Sequence, residues 1–156
     1  MYHYTECGLD NVWLENGYHT KETAYGPATS IEDVDGLHQA IAVTLTEKPG
    51  KVTGKELRFL RLILGMSQAG LGKCMGATEQ SVSLWERHGK VPKYADSITR
   101  LLVLDKVTGE GRATHIIDRI NTVERLCNQR IVVRESRKKW RSELTAASDE
   151  RFALAA

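Results

Sequence analysis

The sequence predicts a mainly α-helical fold with a small β-containing front segment, and three observations carry that prediction. Between residues 53 and 104, apolar residues recur at helical spacing in four short runs, three of them opened by a capping hydroxyl at Thr53, Ser67 or Thr78. Strand signals concentrate in the first 30 residues, where Asn16-Gly17 stands between two β-prone runs. After residue 111 a further amphipathic pattern with helical spacing follows.

Taken in order, "VWLENGYHT" reads as a β-hairpin turning at Asn16-Gly17, and "AYGPATSI" as a turn at Gly26-Pro27 followed by another extended piece. Asp33 or Asp35 caps a short helix in "GLHQAIAVTL", where Leu37, Ile41 and Leu45 recur every four residues. Pro49 and Gly50 end it, so residues 1–50 are expected to form a small α+β subdomain of hairpin and helix.

In "TGKELRFLRLILGM" Thr53 caps a helix, and Glu56, three residues on, completes a capping box. Leu57, Leu60, Ile63 and Leu64 form its apolar face and Gly65 ends it. Ser67 caps "QAGLGKCM", with Leu71 and Met75 apolar and Cys74 alongside, and Gly76 stops that helix. Thr78 caps "EQSVSLWE", which buries Val82 and Trp85; after the "RHGKVPK" loop, "YADSITRLLVL" carries Ile98, Leu101, Leu102 and Leu104. Four short helices at this rhythm, two of them joined by a tight glycine turn, describe a helix-turn-helix over residues 51–107. Gly70 and Gly72 oppose the second helix by about 1 kcal/mol each. Close approach of two helices accounts for a small residue at 72; nothing in the sequence accounts for Gly70.

Beyond the "TGEG" linker at 108–111, Ile116, Ile120, Val123 and Cys127 keep helical spacing, with Arg119, Arg130, Arg134, Arg137, Lys138 and Lys139 mostly off that stripe. Residues 112–141 are therefore expected to be a basic amphipathic helical segment that buries its apolar face against a second subunit or lies along DNA. Residues 142–156 read as a flexible tail.

Composition narrows the function. Residues 1–50 carry 8 acidic and 2 basic side chains, whereas residues 112–141 carry 9 basic and 3 acidic. That asymmetry fits a polyanionic partner for the middle and rear of the chain as well as it fits solvated surface helices. No run of apolar residues approaches the length of a membrane span. "MYHYTECGLD" has neither the basic nor the apolar region of a secretion signal, so a cytoplasmic, nucleoid-associated location is expected. Cys7, Cys74 and Cys127 are scattered and form no Cys-x-x-Cys pair, and the histidines are equally dispersed, so neither a metal nor any other cofactor is expected.

The stretch "LRLILGMSQAGLGKCMGATEQSVSLWERHGKVP" resembles the helix-turn-helix of the Cro/Xre family of phage-repressor-like regulators, over about residues 53–104. The matching elements stand in order: Leu60-Arg61, Gly65-Met66-Ser67-Gln68, Leu71, Gly76, the cap region Thr78 to Ser81, and Trp85-Glu86. The resemblance implies a lambda-repressor-like bundle and a homodimer on double-stranded DNA. Its recognition helix would place Glu79, Gln80, Ser81 and Ser83 against base edges, since the first exposed positions of such a helix must form hydrogen bonds. Ser67, Arg87, His88, Lys90 and Lys93 are the implied phosphate contacts, and Gln68 either anchors a phosphate or braces Gln80. Arg61 and Glu86 are implied to form an internal ion pair, and Trp85 is expected in the core rather than stacked on a base.

The front segment, "YTECGLDNVWLENGY", is similar to zinc-free relatives of MqsA-like antitoxins; it lacks the Cys-x-x-Cys pair of their zinc modules. Two functions follow as expectations. One is a sequence-specific homodimeric repressor; the other is an antitoxin that binds a toxin or other protein through residues 1–50 and regulates its own operon. An enzyme is not expected, because the sequence offers no phosphate loop, no acid/base constellation and no nucleophile beside an activating group.

Overall fold

Side-chain caps set where the helices begin. In the computed structural model, which describes residues 1–109, 111–122 and 129–146, helix α1 (Val34–Glu47) starts where the Asp33 carboxylate accepts the Gly36 N–H. Helix α2 (Gly54–Ile63) starts at a complete capping box: Thr53 Oγ1 accepts from Glu56 N at 3.2 Å and Glu56 Oε2 accepts from Thr53 N at 2.8 Å. Ser67 opens α3 (Gln68–Met75) and Thr78 opens α4 (Glu79–His88), each through its side-chain oxygen. Gly76 and Gly89 close those two helices with φ near 71° in both, the left-handed conformation that glycine adopts without a Cβ penalty. Helix α5 (Lys93–Thr108) follows Pro92, and α6 (Arg112–Thr122) begins where Asp105 Oδ2 accepts the Ala113 N–H at 3.0 Å.

The apolar stripes of α1 to α5 meet in one core. Leu57 and Leu60 of α2, Leu71 of α3, Val82 of α4 and Val103 of α5 are fully buried, with Ala42 and Leu45 of α1 in the same cluster. Helix α2 is the hub, packed against α1, α4 and α5, while α3 packs on α4. Each large side chain buried there contributes roughly 1.5–3 kcal/mol. Polar ties close the loops onto this core: Lys48 donates to the buried Glu56 at 2.7 Å, and Arg100 binds Asp96 at 2.7 Å and the carbonyls of Lys48 and Gly50.

The protein is thus mainly helical, with three small antiparallel ribbons among the described residues. Strand β1 (Tyr2–His3) pairs with β2 (Trp13–Leu14), and β3 (Tyr18–Thr23) pairs with β4 (Gly26–Ile31). No helix among the described residues is long and apolar enough to cross a membrane.

Three expectations are corrected. Asn16-Gly17 is not a hairpin turn. The hairpin turns instead at Ala24-Tyr25, between Thr23 and Gly26. Leu14 is buried and holds β2 to β1 and the core, so packing overrides the local turn signal. Gly17, at φ 78°, directs the chain into β3, and its carbonyl accepts from Glu32 N, extending the β3–β4 ladder.

Residue 50 is not a domain boundary. Tyr4, Leu9 and Leu14 are buried, α1 shares the common core, and Tyr4 Oη meets His38 Nε2 at 2.9 Å with His38 edge-on to Phe59. Met1–Asn121 is accordingly one compact unit.

Residues 112–141 are not one helix. Helix α6 covers Arg112–Thr122 of the described residues, whereas β5 (Gln129–Ser136) pairs with β6 (Lys139–Ala146) in a ribbon belonging to a separate unit, Thr122–Ala156. The β-branched run Ile131-Val132-Val133 favours a strand, and residues 142–146 continue β6 instead of forming a tail. Val123, Cys127 and the tail residues 147–156 lie outside the described residues.

Two glycines mark where helices touch backbone to backbone. A Cβ on Gly54 would lie 2.2 Å from the Glu86 carbonyl oxygen, and one on Gly72 would lie 2.5 Å from that of Ala77. Gly72 therefore permits the tight α3–α4 turn, and Gly54 lets the start of α2 abut the end of α4. At Gly70 the nearest atom is the Ser67 hydroxyl, at 3.3 Å, and nothing in the structure requires glycine there. Gly54→Ala and Gly72→Ala should each lose about 1–3 kcal/mol in chemical denaturation, and Gly70→Ala less than either. A loss below about 0.5 kcal/mol at Gly54 would contradict the close contact.

Candidate functional site

Two helix faces converge on one carboxylate. Arg61, in the last turn of α2, sends Nε to Glu86 Oε1 at 2.6 Å and Nη2 to Oε2 at 3.2 Å, while its Nη1 donates to the Met66 carbonyl at 2.9 Å. Gln68, the first residue of α3, donates Nε2 to Glu86 Oε2 at 2.9 Å. The two charged side chains are only 10% and 6% exposed, so the pair sits inside the bundle. A bidentate guanidinium with a third donor satisfies the carboxylate, which a buried charge requires. The end of α2, the start of α3 and the end of α4 are locked together at this point.

With its last turn held and Val82 buried in the core, α4 leaves the opposite side of its first turns facing out. Glu79 and Gln80 are exposed in the first turn, and Ser81 and Ser83 are half-buried. Ser81 is partly engaged locally, its backbone N–H donating to Thr78 Oγ1 and its hydroxyl 3.0 Å from the same atom. Helical spacing puts Gln80, Ser83, Leu84 and Arg87 on one side. Leu84 is exposed there, a residue that the polar pattern of the sequence did not single out although its position, four after Gln80, marks it.

Flanking elements abut the same helix. Gln68 brings the start of α3 to the last turn of α4. Tyr94, in the first turn of α5, sets its ring edge-on to Trp85 with centroids 6.1 Å apart. Tyr94 is about half exposed and is a second site-facing residue that sequence reasoning missed. Trp85 is half-buried and packs against the core. Ser67 is exposed at the start of α3, Arg87 and His88 at the end of α4, Lys90 in the following loop and Lys93 at the start of α5. The sequence-derived residues are therefore brought to α4 and the two helix starts beside it. Gln68 is the exception in role: its amide turns inward to Glu86 instead of toward Gln80 or outward, because the buried carboxylate offers the stronger acceptor.

Among the described residues no group of three or more His, Cys, Asp or Glu side chains could hold a metal ion. No protein-family model, no curated protein and no solved structure matches the chain.

Arg61→Ala and Glu86→Ala should each lose about 3 kcal/mol of stability, since each strands a buried charge. The double mutant should lose at least 0.5 kcal/mol less than the sum, as expected of residues in direct contact. Thermal or denaturant melts of the four proteins measure this, and additive losses would rule out a coupled pair.

Proposed function

We propose that residues 53–104 are a lambda-repressor-like helix-turn-helix, that α4 reads the major groove of double-stranded DNA, and that the protein is a homodimeric transcriptional repressor. The observation that carries this reading is the outward polar turn of α4, Glu79-Gln80, on a helix whose far end is fixed by the buried Arg61–Glu86–Gln68 cluster. A base-reading helix needs exposed hydrogen-bonding groups at its start and a rigid seat behind it. Both are present.

In this reading Gln80 pairs with adenine N6 and N7, Glu79 accepts from cytosine N4, and Ser83 and Ser81 reach neighbouring edges. Leu84 lies on the same side and suits a thymine methyl group. Ser67, Arg87, His88, Lys90 and Lys93 would meet the phosphates on either side, setting register without reading sequence. One such helix covers only a few base pairs, so two copies on half-sites about 34 Å apart give a site of useful length.

A second reading rests on the front of the molecule. The β3–β4 ribbon is almost wholly exposed, and a two-stranded ribbon leaves both outer edges unpaired, a template for strand addition by another protein. That feature suits an antitoxin holding a toxin through residues 1–50, with the helix-turn-helix supplying autoregulation. A small toxin-like reading frame beside the gene would favour it.

The DNA reading is tested by selecting bound sequences from a random duplex pool and measuring variants on the selected site. Gln80→Ala should weaken that site by about 1–3 kcal/mol and leave random DNA unaffected. Glu79→Gln should change the selected motif. Equal losses on both DNAs, or an unchanged motif, would remove these residues from base reading.

A further inference from the structure

The β5–β6 ribbon carries three features that each work against its own stability. Its turn is Arg137-Lys138, and both residues have positive φ, 50° and 60°. A two-residue turn with both φ values positive is the type that strongly favours Asn-Gly, because L side chains crowd the backbone there. Here two long cations occupy it. Next, Arg134 stands directly opposite Arg141 in the register, and like charges in that relation repel. Finally, residues 134–141 contain five basic side chains and one acidic one, and the described side chains of this stretch are exposed. The single carboxylate, Glu135, is turned to the backbone and accepts from Lys138 N at 2.6 Å.

Alternation in the strands sorts these groups. Ile131, Val133, Glu135, Trp140 and Ser142 share one face; Val132, Arg134, Ser136, Lys139, Arg141 and Glu143 share the other, three cations against one carboxylate. The first face holds the large apolar residues that a lone ribbon needs to pack against something. The second is cationic, with a shallow hollow of about 390 Å³ lined by Val132, Arg134, Ser136, Arg141, Ser142 and Glu143. Glu143 offsets only one of the three cations on its face, and strained backbone of this kind clusters at functional sites such as ligand clamps. The compensating ligand has to be a dense line of negative charge, because a single carboxylate could not span a face and a turn that together hold five cations.

We propose that the β5–β6 ribbon is a second DNA contact, a sequence-independent clamp on the phosphate backbone of duplex DNA made by Arg134, Arg137, Lys138, Lys139 and Arg141. This rests on the reading of α4 as a DNA-reading helix and adds to it a separate electrostatic foothold. Phosphate contacts of this kind raise affinity on all sequences and steepen its dependence on salt, by about 0.9 in the log–log slope per contact.

The test uses the full chain with Arg137→Asn and Lys138→Gly together. That pair installs the favoured turn, so the ribbon should become more stable while it loses two cations. On both the selected site and random duplex, the salt slope should fall by about 1.8, and affinity near 0.15 M salt should drop on the order of tenfold. Gln80→Ala, measured alongside, should instead lose preference for the selected site with its salt slope unchanged. An unchanged slope in the turn variant, while Gln80→Ala still loses site preference, overturns the clamp and leaves the α4 reading standing. A variant that keeps its DNA slope but turns monomeric, or loses binding to anionic phosphatidylserine vesicles instead, also overturns it. If the wild-type chain binds no duplex DNA, both proposals fall.

Discussion

One buried carboxylate organises the helical unit. Glu86 takes two N–H groups from Arg61 and one from Gln68, so that α2, α3 and α4 have a common fixed point. Removing any one donor leaves charge in a setting that water cannot reach freely, which is why the arrangement is far stiffer than a surface ion pair. The same turn of α4 is pinned from another direction, where Gly54 allows the α2 backbone to approach the Glu86 carbonyl. Side chain and main chain of one residue thus hold both the charge and the steric contacts of the junction.

Rigidity at that end is what gives the other end meaning. The first turn of α4 carries exposed Glu79 and Gln80, ordered by the Thr78 cap. Capping and the glycine turn at 76 set where this helix starts; the Glu86 cluster sets its direction. Under the proposed function, two side chains that must meet base edges within hydrogen-bond distance derive their precision from packing several residues away. The cationic residues around them need no such precision, which agrees with their exposure in the loop after α4 and at the start of α5.

Much of the helical unit was legible in the sequence because local and tertiary signals agree there. Thr53-x-x-Glu56, Ser67, Thr78 and Gly76 all mark true helix ends, and Leu57, Leu60, Leu71 and Val82 are the core that their spacing implied; α4, expected to stop at Glu86, runs on through His88 to Gly89. The pairing of Arg61 with Glu86 was expected from family resemblance and has the expected geometry. Where the two kinds of signal conflict, the sequence misled. Asn16-Gly17 looks like a hairpin, but buried Leu14 binds its strand elsewhere. A helical stripe beginning at Ile116 invited extension into Ile131-Val132-Val133, where β-branched residues form a strand. The inward turn of Gln68 and the exposure of Tyr94 depend on neighbours distant in sequence and had no clear local signal, whereas Leu84 is marked by its helical spacing from Gln80.

Under the proposed function, α4 and the helix starts beside it form the DNA-binding face. Backbone amide NMR shifts, followed while a selected duplex is titrated into the protein, test it most directly. The largest changes are expected at residues 67–69, 79–84 and 87–94, with further changes around the β5–β6 turn and little change in β3 and β4. Changes concentrated in residues 18–31, with those of α4 unmoved, would contradict it.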